Sequence, residues 1–227
     1  MLKRCLLSAA LLVGVSAPAF AQSSKVEASL IFGWTFSDGV SASSPVLVPD
    51  GNIYDRIDPK DSGSWGFNVG YYVTPHAEVG FMYAHQFSKL VAGGTRDLEL
   101  GDLGINSYHG YFGYNFFPAD GPVVPFIYGG LGATNFSSVD VAVTPVVNPN
   151  GTRTIAGETQ FSTTWGGGVK FFPSPKVGVR VVASWTPTYI KSDAAGWWCD
   201  PFWGCYLVGN AQYANQVTFG GGVTLRF

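Results

Sequence analysis

Gln216-Val217-Thr218-Phe219-Gly220-Gly221-Gly222-Val223-Thr224-Leu225-Arg226-Phe227 closes the chain, and its alternation decides how the rest is read. Val217, Phe219, Val223, Leu225 and Phe227 fall on one face; Gln216, Thr218, Gly220, Thr224 and Arg226 fall on the other. A period of two is the period of a β-strand. In a soluble sheet the apolar face meets a core and the polar face meets water. In a membrane-spanning barrel the apolar face meets lipid and the polar face meets a packed lumen.

Composition separates the two. Aromatic residues make up 15% of the chain and charged residues only 12%, against about 25% charged in an ordinary soluble domain. Glycine is abundant, with 30 residues. No segment supplies the roughly 20 consecutive apolar residues of a membrane helix. Few charges, many aromatics and much glycine therefore favour strands in lipid.

The start of the chain is consistent with export. Met1-Leu2-Lys3-Arg4 is a short positive region, Cys5 to Phe20 is mostly small and apolar, and Ala19-Phe20-Ala21 has the small-x-small form of a cleavage site. Residues 1–21 are expected to be a signal peptide cleaved after Ala21, with residues 22–227 as the mature domain. Loss of Lys3 and Arg4 leaves 11 basic and 15 acidic residues, a net charge of −4. Nucleic acid, which needs a clustered basic surface, is not an expected partner. Cys199 and Cys205 remain as an even pair, and an exported pair is read as a disulfide.

The same alternation recurs along the mature chain. Strands are expected at about 25–36, 64–73, 77–87, 105–117, 123–136, 160–172, 177–190 and 216–227. Between them, connections alternate long and short. Residues 37–62, 88–104, 137–158 and 191–214 are long; Thr74-Pro75-His76, residues 118–122 and Pro173-Ser174-Pro175-Lys176 are short. Aromatics gather near strand ends. Tyr71, Phe116, Phe171 and Phe227 lie toward the short turns, and Trp34, Trp65, Phe161 and Trp185 toward the long loops. Two such girdles mark the two membrane–water interfaces. The predicted fold class is all-β: an eight-stranded antiparallel up-and-down transmembrane β-barrel.

This pattern resembles the small bacterial outer-membrane barrels, the OmpA/OmpX-like and opacity-protein-like proteins. The resemblance implies a bacterial outer-membrane location, short periplasmic turns, long extracellular loops and a monomer. Outer-membrane lipid and lipopolysaccharide, the barrel assembly machinery and an extracellular ligand are the implied partners. It also implies that the last strand, ending on Phe227, is the signal read by the assembly machinery. A structural or surface-interaction role is expected. The alternatives are a narrow porin-like channel and, third, a lipid A-modifying enzyme.

Glu27, Glu78, Lys170, Arg180 and Arg226 all fall on inward positions. Buried charges need partners, so Glu27 or Glu78 is expected to pair with Arg180 or Arg226, plugging the lumen; a polar path is the alternative. The long loops are acidic. Their oxygen-rich run Asp50, Asn52, Asp55, Asp58, Asp61 lacks the spacing of a calcium loop. Trp197, Trp198, Phe202, Trp203 and Tyr206 surround Cys199 and Cys205, either a stapled loop tip or a contact knob. Some relatives of this kind use a Ser–His pair with a carboxylate on lipid A. Here His76 sits in a turn, His85 faces lipid, and His109 faces inward near Ser107 without an acid beside it. No catalytic, cofactor or metal site is expected.

Overall fold

The computed structural model describes residues 25–47, 53–95, 97–142, 152–190, 199–200, 204–205 and 212–227. Eight strands form the wall: β1 (Val26–Asp38), β2 (Ser62–Tyr72), β3 (Ala77–Gly94), β4 (Leu98–Asn115), β5 (Val123–Phe136), β6 (Glu158–Phe171), β7 (Val177–Ile190) and β8 (Gln212–Arg226). Each pairs antiparallel with the next in sequence. β8 then pairs with β1, from Glu27 opposite Arg226 up to Asp38 opposite Asn215, and closes the barrel. Closure removes both sheet edges, so no backbone ladder is left facing hydrocarbon.

The short turns follow from their residues. In the first, Thr74 Oγ1 accepts from Ala77 N at 2.9 Å. In the third, Ser174 Oγ accepts from Val177 N at 3.0 Å. Each hydroxyl stands in for a ladder acceptor, and prolines at 75, 118, 173 and 175 occupy positions where no donor is required.

Burial is inverted relative to a soluble protein. On β7, Val181 is 65% exposed, whereas Lys170 on the inner face of neighbouring β6 is fully buried. Phe32, Leu131 and Phe219 also point outward, while Thr134, Ser162 and Thr224 point in. On β5, Val124, Phe126 and Phe136 are inward and Ile127 and Leu131 outward, which settles a glycine-rich register that alternation alone leaves open.

The expected second loop, residues 88–104, is corrected. β3 runs on to Gly94 and β4 begins at Leu98. These extensions reverse the polarity of the wall below. Leu90, Leu103 and Ile105 turn inward and pack with Ile57, Phe136, Val139, Ile190 and Ala214. Above the hydrocarbon the outer face meets water, so the apolar face must turn to the axis. The first and third long segments also carry strands. Val40–Leu47 pairs with Ile53–Pro59, which pairs with the top of β3. Val139–Ala142 pairs with Thr152–Ile155.

A charge placed on the lipid face near mid-membrane has no water to reach. Val181→Arg is expected to destabilise the refolded barrel by about 2–4 kcal/mol in urea titrations in lipid vesicles. Val177→Arg, at the strand end by the short turns, should cost much less.

Candidate functional site in the barrel lumen

Every strand sends one side chain, or the turn behind it, into a cluster at the short-turn end. Glu27 comes from β1, Tyr72 from β2, Glu78 from β3, Tyr111 from β4, Phe126 from β5, Lys170 from β6, Arg180 from β7 and Arg226 from β8. Lys170 Nζ is the hub. It lies 2.7 Å from Glu27 Oε1 and 2.8 Å from Glu78 Oε2, and donates to Tyr72 Oη at 3.1 Å. Tyr72 in turn donates to Glu27, and Tyr111 donates to Glu78. Arg226 Nε stands 3.5 Å from Glu27 Oε2, with its guanidinium against the Phe172 ring. Arg180 is more distant, its Nη1 4.0 Å from Glu27 Oε1, and its guanidinium lies 4.3 Å from the centroid of the Phe126 ring.

Glycine makes room for this packing. A Cβ on Gly70 would sit 2.0 Å from Glu78 Oε1, and one on Gly80 would sit 2.7 Å from the Tyr111 ring. The bare backbone of β2 and β3 is the hollow into which the Tyr111–Glu78 pair fits.

Above the cluster lies a cavity of about 100 Å³, bordered by Asn68, Met82, His109, Tyr128 and Arg180. Beside it runs a hydroxyl chain. His109 Nε2 and Ser162 Oγ are 2.9 Å apart, Thr134 Oγ1 donates to Ser162 at 2.9 Å, and Thr188 donates to Thr134 at 3.2 Å. A polar layer roofs the cavity. Gln86 Nε2 donates to Ser37 Oγ at 2.9 Å and Ser62 Oγ at 3.0 Å, and Gln216 Nε2 donates to Gln86 Oε1 at 2.7 Å. The apolar cap around Leu90 and Leu103 follows. Within the described residues the lumen is filled at both ends, by charge below and by hydrocarbon above.

The outer membrane protein beta-barrel domain model matches residues 7–227. The chain belongs to that family. Among solved structures, OprG from Pseudomonas aeruginosa is similar at 14% identity, with 91% of this chain and 97% of that chain covered and a TM-score of 0.59. Neisserial surface protein A is similar at 15% identity, with 92% and 100% covered and a TM-score of 0.52. At such identities the likeness concerns the fold. No curated protein matches the chain. As an outer membrane protein beta-barrel domain, the chain resides in the bacterial outer membrane; in such barrels the short turns are generally periplasmic and the longer loops extracellular.

The structure brings the five predicted lumen charges of this outer-membrane barrel together, but around Lys170. Glu78 pairs with Lys170, not with either arginine, and Glu27 faces all three cations. Tyr72, Tyr111, Phe126 and Phe172, absent from the sequence-based set, complete the cluster. Their signal was parity: Tyr72 follows Gly66, Asn68 and Gly70, and Tyr111 follows Ser107 and His109. His85 faces outward beside Asn106, and His76 is held by Asn115 O at 2.9 Å. Phe227 is exposed, and its backbone exchanges hydrogen bonds with Val26 at 2.9 and 3.3 Å. Cys199 and Cys205 oppose each other in a short antiparallel pairing; their side chains, and Trp197, Trp198, Phe202, Trp203 and Tyr206, lie outside the described residues. Among the described residues no group of three or more metal-ligating side chains occurs.

At the long-loop end, Glu99 accepts from Lys60 and, at 2.8 Å, from Lys89. These hydrogen bonds hold its carboxyl down at about 2. The clip therefore stabilises this end above the ordinary glutamate range and is lost as pH falls through about 2. Titration of the Glu99 carboxyl by NMR should show the depressed midpoint, and Lys60→Met with Lys89→Met should return it to the ordinary range near 4.3.

Truncating the hub leaves two carboxylates buried without their shared cation. Lys170→Met is expected to cost about 3–5 kcal/mol in urea unfolding, and adding Glu78→Gln should restore part of the loss.

Proposed function

We propose that this outer-membrane barrel works as a closed scaffold that holds its hairpins and loops at the cell surface, in a structural or contact role. The observation that carries the reading is the doubly filled lumen, with the Lys170 cluster below and the Leu90–Leu103–Ile105 cap above. A conduit needs a continuous polar path; here the described residues offer a cavity between two seals. The extended β3–β4 hairpin and the strands of the first and third connections give the extracellular side a folded surface. That surface is the proposed contact region, toward lipopolysaccharide head groups or an extracellular ligand. The Cys199–Cys205 tip with its five aromatics is proposed as a disulfide-stapled part of it. A monomer suffices, since one chain closes the wall. Phe227, exposed where β8 meets β1, is the proposed assembly signal.

A catalytic role is not part of the proposal. Ser162 and His109 are hydrogen-bonded but buried in the lumen, and the other side-chain partner of Ser162 among the described residues is the Thr134 hydroxyl. Attack on a lipid substrate would need a carboxylate to orient the imidazole and an open face toward the lipid.

Conductance of the refolded protein in a planar lipid bilayer tests the closed-scaffold reading. Folded protein is expected to give no discrete current steps. Reproducible steps whose size changes in Glu78→Gln would overturn it in favour of the narrow channel.

A further inference from the structure

The lumen cluster is not electrically balanced. Two carboxylates, Glu27 and Glu78, face three cations, Lys170, Arg180 and Arg226, and all five are buried. Lys170 touches both acids, and Arg226 reaches Glu27 at 3.5 Å. These four groups would balance by themselves. Arg180 is the surplus charge. Its nearest carboxylate oxygen is 4.0 Å away, its Nη1 reaches Ser29 Oγ only at 3.5 Å, and its Nε has no hydrogen-bond partner among the described residues. The side chain is 2% exposed. A buried cation with an unused donor is costly unless something of opposite sign sits beside it.

Arg180 also borders the cavity of about 100 Å³ above the cluster. Such a space is large enough for one small ion with water. Its walls carry the hydroxyls of Ser107, Thr164 and Ser184 and the Tyr128 phenol; Thr164 and Ser184 bond to Tyr128, and Ser107 lies 3.3 Å from Thr134 Oγ1, so the wall is polar and, among the described residues, carries no carboxylate. Asn68, whose Oδ1 has no hydrogen-bond partner among the described residues, lies on the same wall and can turn its amide to present a donor. A buried positive charge with an idle N–H thus borders a polar-walled cavity with no carboxylate among its described lining residues.

We infer that the lumen cavity binds one small monovalent anion of the halide class, seated against Arg180. The anion neutralises the surplus charge and makes the barrel interior electrically complete. Because the cavity is capped above and plugged below, the ion is taken up as the barrel closes.

The test is to refold the full mature chain in detergent in sodium chloride, sodium bromide or sodium gluconate at equal sodium, and to unfold each with urea. Gluconate is too large for the cavity. Wild type is expected to be more stable in chloride and bromide, with a saturable dependence. At a halide concentration a hundred times the dissociation constant, the folded-to-unfolded ratio should rise about 100-fold. In Arg180→Gln the halide and gluconate curves should coincide, because the remaining charges already match. Identical curves in wild type, or an unchanged halide effect in Arg180→Gln, would overturn the proposal. Crystals of wild type grown in bromide give an answer even if the variant does not fold. An anomalous peak beside Arg180 is expected; a cavity without one, or peaks only on the surface, would refute the site.

Discussion

The ammonium of Lys170, held between Glu27 and Glu78, is the interaction on which the interior depends. It joins β6 to β1 and β3 across the lumen, contacts no ladder hydrogen bond can make. A barrel wall fixes only nearest neighbours. The side chains that cross the axis fix the section, and here one cation does so with both acids. The low dielectric strengthens these contacts and makes each of them expensive to lose. The tyrosines act on the same point, since Tyr72 and Tyr111 each donate to a carboxylate that Lys170 also grips.

A second constraint is the change of solvent along the axis. Within the hydrocarbon the wall is apolar outside and polar inside. Above it the wall turns over, and Leu90, Leu103 and Ile105 come in to form an ordinary apolar core. The same strands obey both rules by switching which parity carries the apolar residues. The hairpins beyond the membrane are therefore folded extensions of the barrel, with Glu99 tying Lys60 and Lys89 at their edge. The barrel supplies the stem, and the folded surface above it is the proposed contact region.

Much of this was legible in the sequence because a strand in lipid must alternate without interruption. The alternation of Val217 to Phe227, the long and short connections and the inward placement of the five charges all follow from that one demand. Residues 88–104 read as a loop because the apolar residues move there to the inward parity, and such a switch breaks the sequence pattern without breaking the strand. Tyr72 sits one residue before a turn, where a tyrosine passes as interfacial, although its parity with Asn68 and Gly70 points it inward. The choice of Lys170 as hub depends on how the strands stagger around the axis, which no single strand encodes. The expected pairing of Glu27 with an arginine is present at 3.5 Å to Arg226 and 4.0 Å to Arg180, but both are longer than its contact with Lys170.

The central claim is that Lys170 and the acids act as one lumen-spanning unit. A double-mutant cycle between Glu27→Gln and Lys170→Met, read by urea unfolding in lipid vesicles, tests it most directly. A coupling of about 2 kcal/mol or more is predicted, toward the upper part of the range for directly interacting residues. Additive effects would mean that the two groups stabilise the barrel independently and would contradict the account.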